Sequence, residues 1–117
     1  MADRMRLLKV TAGNLRQSHL YVSGHLDFFP KEAFGPAKRN GNGHTGIDIF
    51  LDGLNETVTT DIPTEAKTGK PRGFLRCRSD IGRFYKHHGL KPGAMVELRK
   101  SSERRYRLRP ARPPTRG

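Results

Sequence analysis

Period-two alternation, broken once by a helical period, most constrains what this chain can fold into. His19-Leu20-Tyr21-Val22-Ser23 sends Leu20 and Val22 to one face and His19, Tyr21 and Ser23 to the other. Leu26 and Phe28 continue the apolar face after Gly24. Leu7–Thr11, Phe74–Arg78, Ala94–Leu98 and Arg105–Arg109 read as further strands, the last with Tyr106 and Leu108 inward. Ile47–Leu51 and Thr57–Ile62 flank the turn Asp52-Gly53-Leu54-Asn55, which predicts a hairpin. Helical spacing appears only over Asp80–His88, where Ile81, Phe84, Tyr85 and His88 share a face. Ser79 or Asp80 is the expected cap, and Gly89 the stop. Lys31–Phe34 adds one helical turn before Gly35-Pro36. The expected fold is mainly β, a seven-stranded open barrel with two short helices, over residues 1–110 as one domain. Residues 111–117 read as a basic tail or linker, and 37–44 as a polar, glycine-rich loop.

Charge narrows the function. The net charge is +12, but residues 1–65 hold seven Lys/Arg against eight Asp/Glu, and residues 66–117 hold sixteen against three. A domain this basic repels itself unless a polyanion is its partner. Lys67, Lys70 and Arg72 occupy the polar segment Pro63–Gly73, and Arg76 and Arg78 alternate on the strand after it. Arg105, Arg107 and Arg109 alternate on the last strand, a spacing suited to phosphates. Tyr21 and Phe50 are the outward aromatics, fewer stacking platforms than a single-strand binder needs, which favours duplex DNA.

No cofactor is expected, and the chain reads as a binding protein rather than an enzyme. The lone Cys77 excludes an internal disulfide and reads as a small buried strand residue. His87 and His88 close a helix, and no nucleophile has a base with an orienting third group. A metal-dependent nuclease is the alternative. Asp52, with Asp48 nearby, followed by Glu65-Ala66-Lys67 has the residue types that hold Mg²⁺ and steady a water, but Glu65 and Lys67 lie in loop composition. An RNA-binding barrel is the third reading. No apolar run reaches a membrane span and no signal segment is visible, so the cytoplasm is the default.

The stretch from Asp80 through Gly89-Leu90-Lys91-Pro92-Gly93 to Leu98 resembles the second helix and following strand of plant B-three DNA-binding domains. Leu26-Asp27-Phe28-Phe29-Pro30-Lys31 resembles that family's second strand and first helix. The same pseudobarrel serves as the DNA-recognition domain of certain bacterial restriction endonucleases, and the resemblance spans His19 to Leu108. Ala94 and Ile81-Gly82 depart from the family's usual acidic residue and tryptophan.

The resemblance implies sequence-specific reading of the major groove of double-stranded DNA by two arms, as a module beside a nuclease or other catalytic domain. A bacterial relative would be nucleoid-associated, a plant one nuclear. By position the first arm is Arg16, Gln17, Ser18 and His19, with Tyr21, Ser23 and His25 close by. The second is Lys67, Thr68, Lys70 and Arg72, with Arg76 and Arg78 behind. Gln17 and an arginine would read bases, Lys67 and Lys70 phosphates, and Arg107 would add grip.

Overall fold

The computed structural model describes residues 4–37 and 46–111. Most of the expected loop 37–44, and 112–117 of the tail, lie outside the described residues. The strands are β1 (Met5–Lys9), β2 (Phe34–Gly35), β3 (Ile47–Leu51), β4 (Glu56–Thr60), β5 (Ile62–Pro63), β6 (Met95–Ser102) and β7 (Arg105–Pro110). The helices are α1 (Ala12–Gln17) and α2 (Arg78–His88), with 3-10 turns at Ser23–Phe28 and Lys31–Ala33.

Five strands form one sheet in the order β1-β6-β7-β3-β4. All its pairings are antiparallel except β3 with β7, where Ile49 stands opposite Tyr106 and Leu51 opposite Leu108. The short β2 and β5 pair with each other in parallel. The chain is therefore mixed α/β and mostly sheet, with its strands in two sheets and no closed barrel.

Three expected strands are cut short, each for a local reason. Thr57–Ile62 divides at Asp61, a buried carboxylate that turns out of the ladder to meet Arg76. His19–Ser23 and Phe74–Arg78 shrink to one bridge, Tyr21 opposite Phe74. The Val22 N–H donates to Gly73 O at 2.7 Å and the Leu75 N–H to Leu20 O at 3.3 Å. Beyond Val22 the chain coils into 3-10 turns with a kink at His25, so Leu26 and Phe28 reach the core from a coil. Tyr106 OH donates to Phe28 O at 2.8 Å and fixes that coil to β7.

Helix α1 was not legible as a periodic stretch. Thr11 Oγ1 accepts from the Asn14 N–H, and Asn14 Oδ1 accepts from the Thr11 N–H, a reciprocal cap that starts six residues of helix. Helix α2 begins at Arg78, earlier than Ser79 or Asp80 would cap it, and Cys77 precedes it without a side-chain cap. Its end follows expectation: Gly89 is left-handed, with Gly89 N–H on Lys86 O and Leu90 N–H on Tyr85 O.

The core is where the alternation placed it. Leu8, Ile47, Ile49, Leu51, Val96, Leu98, Tyr106 and Leu108 point inward from the sheet. Ile81, Phe84 and Tyr85 of α2 meet them, with Leu20, Val22 and Leu75 from the bridged segments. Each fully buried aliphatic side chain contributes roughly 1.5–3 kcal/mol.

Candidate nucleic-acid interface

The Tyr21–Phe74 bridge joins the two segments expected to be arms. Because alternate residues at the bridge enter the core, His19, Tyr21 and Phe74 are turned out together. The His19 ring stacks on Phe74 with centroids 4.3 Å apart, and Tyr21 meets both edge-on, at 5.2 Å and 6.2 Å. His19 Nδ1 and Tyr21 OH share a 3.1 Å hydrogen bond. The Arg72 guanidinium lies over the other aromatic, 5.3 Å from the Phe74 centroid. Tyr21 keeps 45% of its surface exposed. Phe74 is the functional candidate left out of the outward aromatics, although a period of two puts it on the face of Arg76 and Arg78.

The first arm is held from behind by α2. Arg78 Nε and Nη2 donate to Gln17 O at 3.0 Å and 2.9 Å, and Tyr85 OH donates to His19 O at 2.6 Å. Ser18 is left-handed at the end of α1 (φ 55°) and packs against Gly82, where an added Cβ would come within 2.7 Å of Ser18 Oγ. Arg16 and Gln17 are exposed. Burial, then the charges of Arg78 and Arg72, hold the His19 imidazole below its ordinary pKa.

The second arm is a closed turn rather than an open loop. Thr64 bridges to Pro71, Glu65 N–H donates to Lys70 O at 2.8 Å, and Gly69 N–H donates to Glu65 O at 2.8 Å. Thr68 Oγ1 donates to Glu65 Oε1 at 2.7 Å and accepts from the Lys70 N–H at 3.2 Å. Lys67, Lys70 and Arg72 are exposed on this braced turn, and Lys67, Thr68 and Arg72 line one groove beside Ala37. Arg72, Phe74 and His19 are thus in contact in series, the Lys67 groove adjoins them at Arg72, and Arg78 holds Gln17 O.

Four of the candidate residues stand elsewhere or do other work. Arg76 is engaged internally: its Nε meets buried Asp61 Oδ1 at 2.5 Å, and its Nη atoms donate to Pro36 O and Ala37 O. Arg107 lies on the outer face of the sheet, donating to Asp52 Oδ1 at 2.7 Å with its guanidinium over Phe50. His25 is tied toward β1, with Arg6 Nη1 donating to its Nδ1 at 3.2 Å. Ser23 packs against Gly73, where a Cβ would lie 2.9 Å from Ser23 Cβ. Glu97 accepts from both Arg99 and Arg109, which share its one negative charge.

The alternative Asp52, Glu65 and Lys67 set is not gathered. Asp52 follows the end of β3 that pairs with Glu56, and Glu65 lies past the other end of β4, beyond Thr60. Among the described residues, no group of three His, Cys, Asp or Glu side chains is placed to hold a metal ion. His88 Nε2 bonds Asp52 O at 2.7 Å, which packs α2 against the β3–β4 turn. Cys77 is half-buried rather than buried in a strand, and burial pushes its thiol up to about 11. Among the described residues no helix is long and apolar enough to cross a membrane. No protein-family model and no curated protein matches the chain.

Proposed function

We propose that this chain binds double-stranded DNA by the two bridged segments, Arg16–Tyr21 and Lys67–Phe74, as the recognition module of a larger protein. The supporting observation is the Tyr21–Phe74 bridge, which sets His19, Arg72 and the groove of Lys67 into one exposed surface. Gln17 and Arg72 are the base readers, since Gln17 exposes an amide donor and acceptor for adenine and Arg72 exposes two donors for guanine. Lys67 and Lys70 sit on phosphates, each as a point charge on a braced turn. In this reading the two sheets and the bridge together form an open pseudobarrel of the B-three kind.

A competition gel with duplex DNA, single-stranded DNA and structured RNA tests the reading. Duplex should compete best. Arg72→Ala or Gln17→Ala should cost about 1–3 kcal/mol at a preferred site and little elsewhere. Lys67→Ala should weaken all duplexes alike and reduce the salt slope by about 0.9. Equal competition by all three nucleic acids, or identical effects of Arg72→Ala and Lys67→Ala on every duplex, overturns the reading.

A further inference from the structure

The outer face of the larger sheet carries a cleft that shares no residue with the two arms. Its floor is the parallel β3–β7 pair, where Asp48 stands opposite Arg105 and Phe50 opposite Arg107. The cleft encloses about 590 Å³, with Thr57 and Ser101 on its walls. A smaller one of about 300 Å³ adjoins it through Asp48 and Arg105 and adds Arg104. The larger volume lies within the range of small-molecule sites, roughly 300–1,000 Å³.

Its chemistry is divided. At one end is a flat platform: Phe50 is half-buried, and the Arg107 guanidinium is held 5.4 Å from its centroid by the bond to Asp52. A fixed ring and guanidinium of this kind offer a π surface to a base. At the other end Asp48 stands opposite Arg105, and Glu103 lines the smaller cleft with Arg104. Asp48 is occupied by Thr59, whose hydroxyl donates to it at 2.7 Å, and among the described residues no ion pair holds Arg105. Elsewhere on this face Arg99 and Arg109 share the one carboxylate of Glu97, and Arg107 meets Asp52. A purely structural sheet surface explains the paired arginines but leaves Arg105, beside the platform, outside any ion pair among the described residues.

We propose that this cleft binds a single unpaired nucleotide, with the base against Phe50 and Arg107 and the phosphate on Arg105. Thr57 and Ser101 supply hydroxyls within the cleft for the sugar or the base edge. The nucleotide comes either free from solution or from the end of a single strand, and both present the same base and phosphate.

Titration of the isotope-labelled full chain with deoxyadenosine monophosphate, followed by NMR, tests this. Deoxyadenosine, inorganic phosphate and a 5′-phosphorylated tetranucleotide are titrated separately. The mononucleotide should shift and saturate the resonances of Phe50, Ser101 and Arg105, with each fragment binding roughly tenfold more weakly. Phe50→Leu keeps an apolar side chain but removes the ring, and should weaken the mononucleotide about tenfold without lowering the melting temperature. Arg105→Ala should reduce it to the affinity of deoxyadenosine. A tetranucleotide that binds more tightly at the same residues assigns the site to a strand end, and one that does not assigns it to a free nucleotide. Inorganic phosphate binding as tightly as the mononucleotide, an unchanged affinity in Phe50→Leu, or no shift at these residues overturns the proposal. Duplex affinity measured on the same variants keeps the two readings apart. Nucleotide shifts at Phe50 without duplex binding leave the cleft standing and sink only the arms, and the reverse sinks only the cleft.

Discussion

The imidazole of His19 lies against the ring of Phe74, with centroids 4.3 Å apart and planes 18° from parallel. This contact carries the first arm onto the second. Burial of the ring, and then the charges of Arg78 and Arg72, favour its neutral form. An NMR titration of His19 should find its midpoint below 6.5. Between that midpoint and 6.5 the unfolded chain binds the proton and the folded chain does not. This group therefore lowers stability as pH falls through that window and has no effect above it. A duplex seated on the arms brings phosphates toward the ring and should raise the midpoint, a change His19→Phe abolishes.

Arg76 is predicted to matter for folding rather than for binding. Its partner Asp61 has a side chain that is 0% exposed, and it also clasps two carbonyls before residue 38. Arg76→Ala takes a charged donor from a buried carboxylate, which costs about 1.5–3 kcal/mol. Urea unfolding should show that loss, and the salt slope of duplex binding by the remaining folded protein should stay at the wild-type value. A slope that falls by about 0.9 would return Arg76 to the phosphate-binding set.

Gly82→Ala should disturb the first arm even though alanine suits a helix better by about 1 kcal/mol. The new Cβ would stand 2.7 Å from Ser18 Oγ and 3.2 Å from Ser18 Cβ, and Ser18 caps α1 in a left-handed conformation. Amide shifts at Gln17, Ser18 and His19 should move and duplex affinity should drop. Ser18→Gly removes the opposing side chain and fits φ 55°, so the double variant should recover both.

Cys77 should be slow to react. With its thiol pushed up to about 11, little thiolate is present at pH 8, and a disulfide reagent should modify native protein far more slowly than urea-unfolded protein. Equal rates in the two states would place the thiol in the open.

The alternation of Ile47–Leu51 and Arg105–Arg109 was sufficient to assign the strands, the inward residues and the hairpin, because a half-buried strand leaves one face in water. The period of Ile81, Phe84 and Tyr85 did the same for α2. Helix α1 escaped because it is six polar-rich residues begun by a Thr11–Asn14 cap, too short to establish a period. Of the candidate site, charge points to Lys67 and Arg72, alternation to Tyr21, and only the resemblance to Gln17. The Arg76–Asp61 pair is not legible in the sequence, because alternation reports which way a side chain leaves its own strand, not what another segment places beneath it.

Local sequence determined the elements, their faces and the concentration of positive charge after residue 65. Tertiary structure decided which charges remain available. Asp61 takes Arg76, Asp52 takes Arg107, Glu97 takes Arg109, and Gln17 O takes Arg78, each across a separation the chain closes only by folding. It also decided that Tyr21 and Phe74 meet, since their pairing depends on Leu20, Val22 and Leu75 entering the core together. Periodicity is a property of neighbours along the chain, whereas ion pairing and ring contact depend on distances in space, and those are fixed only when the whole core closes.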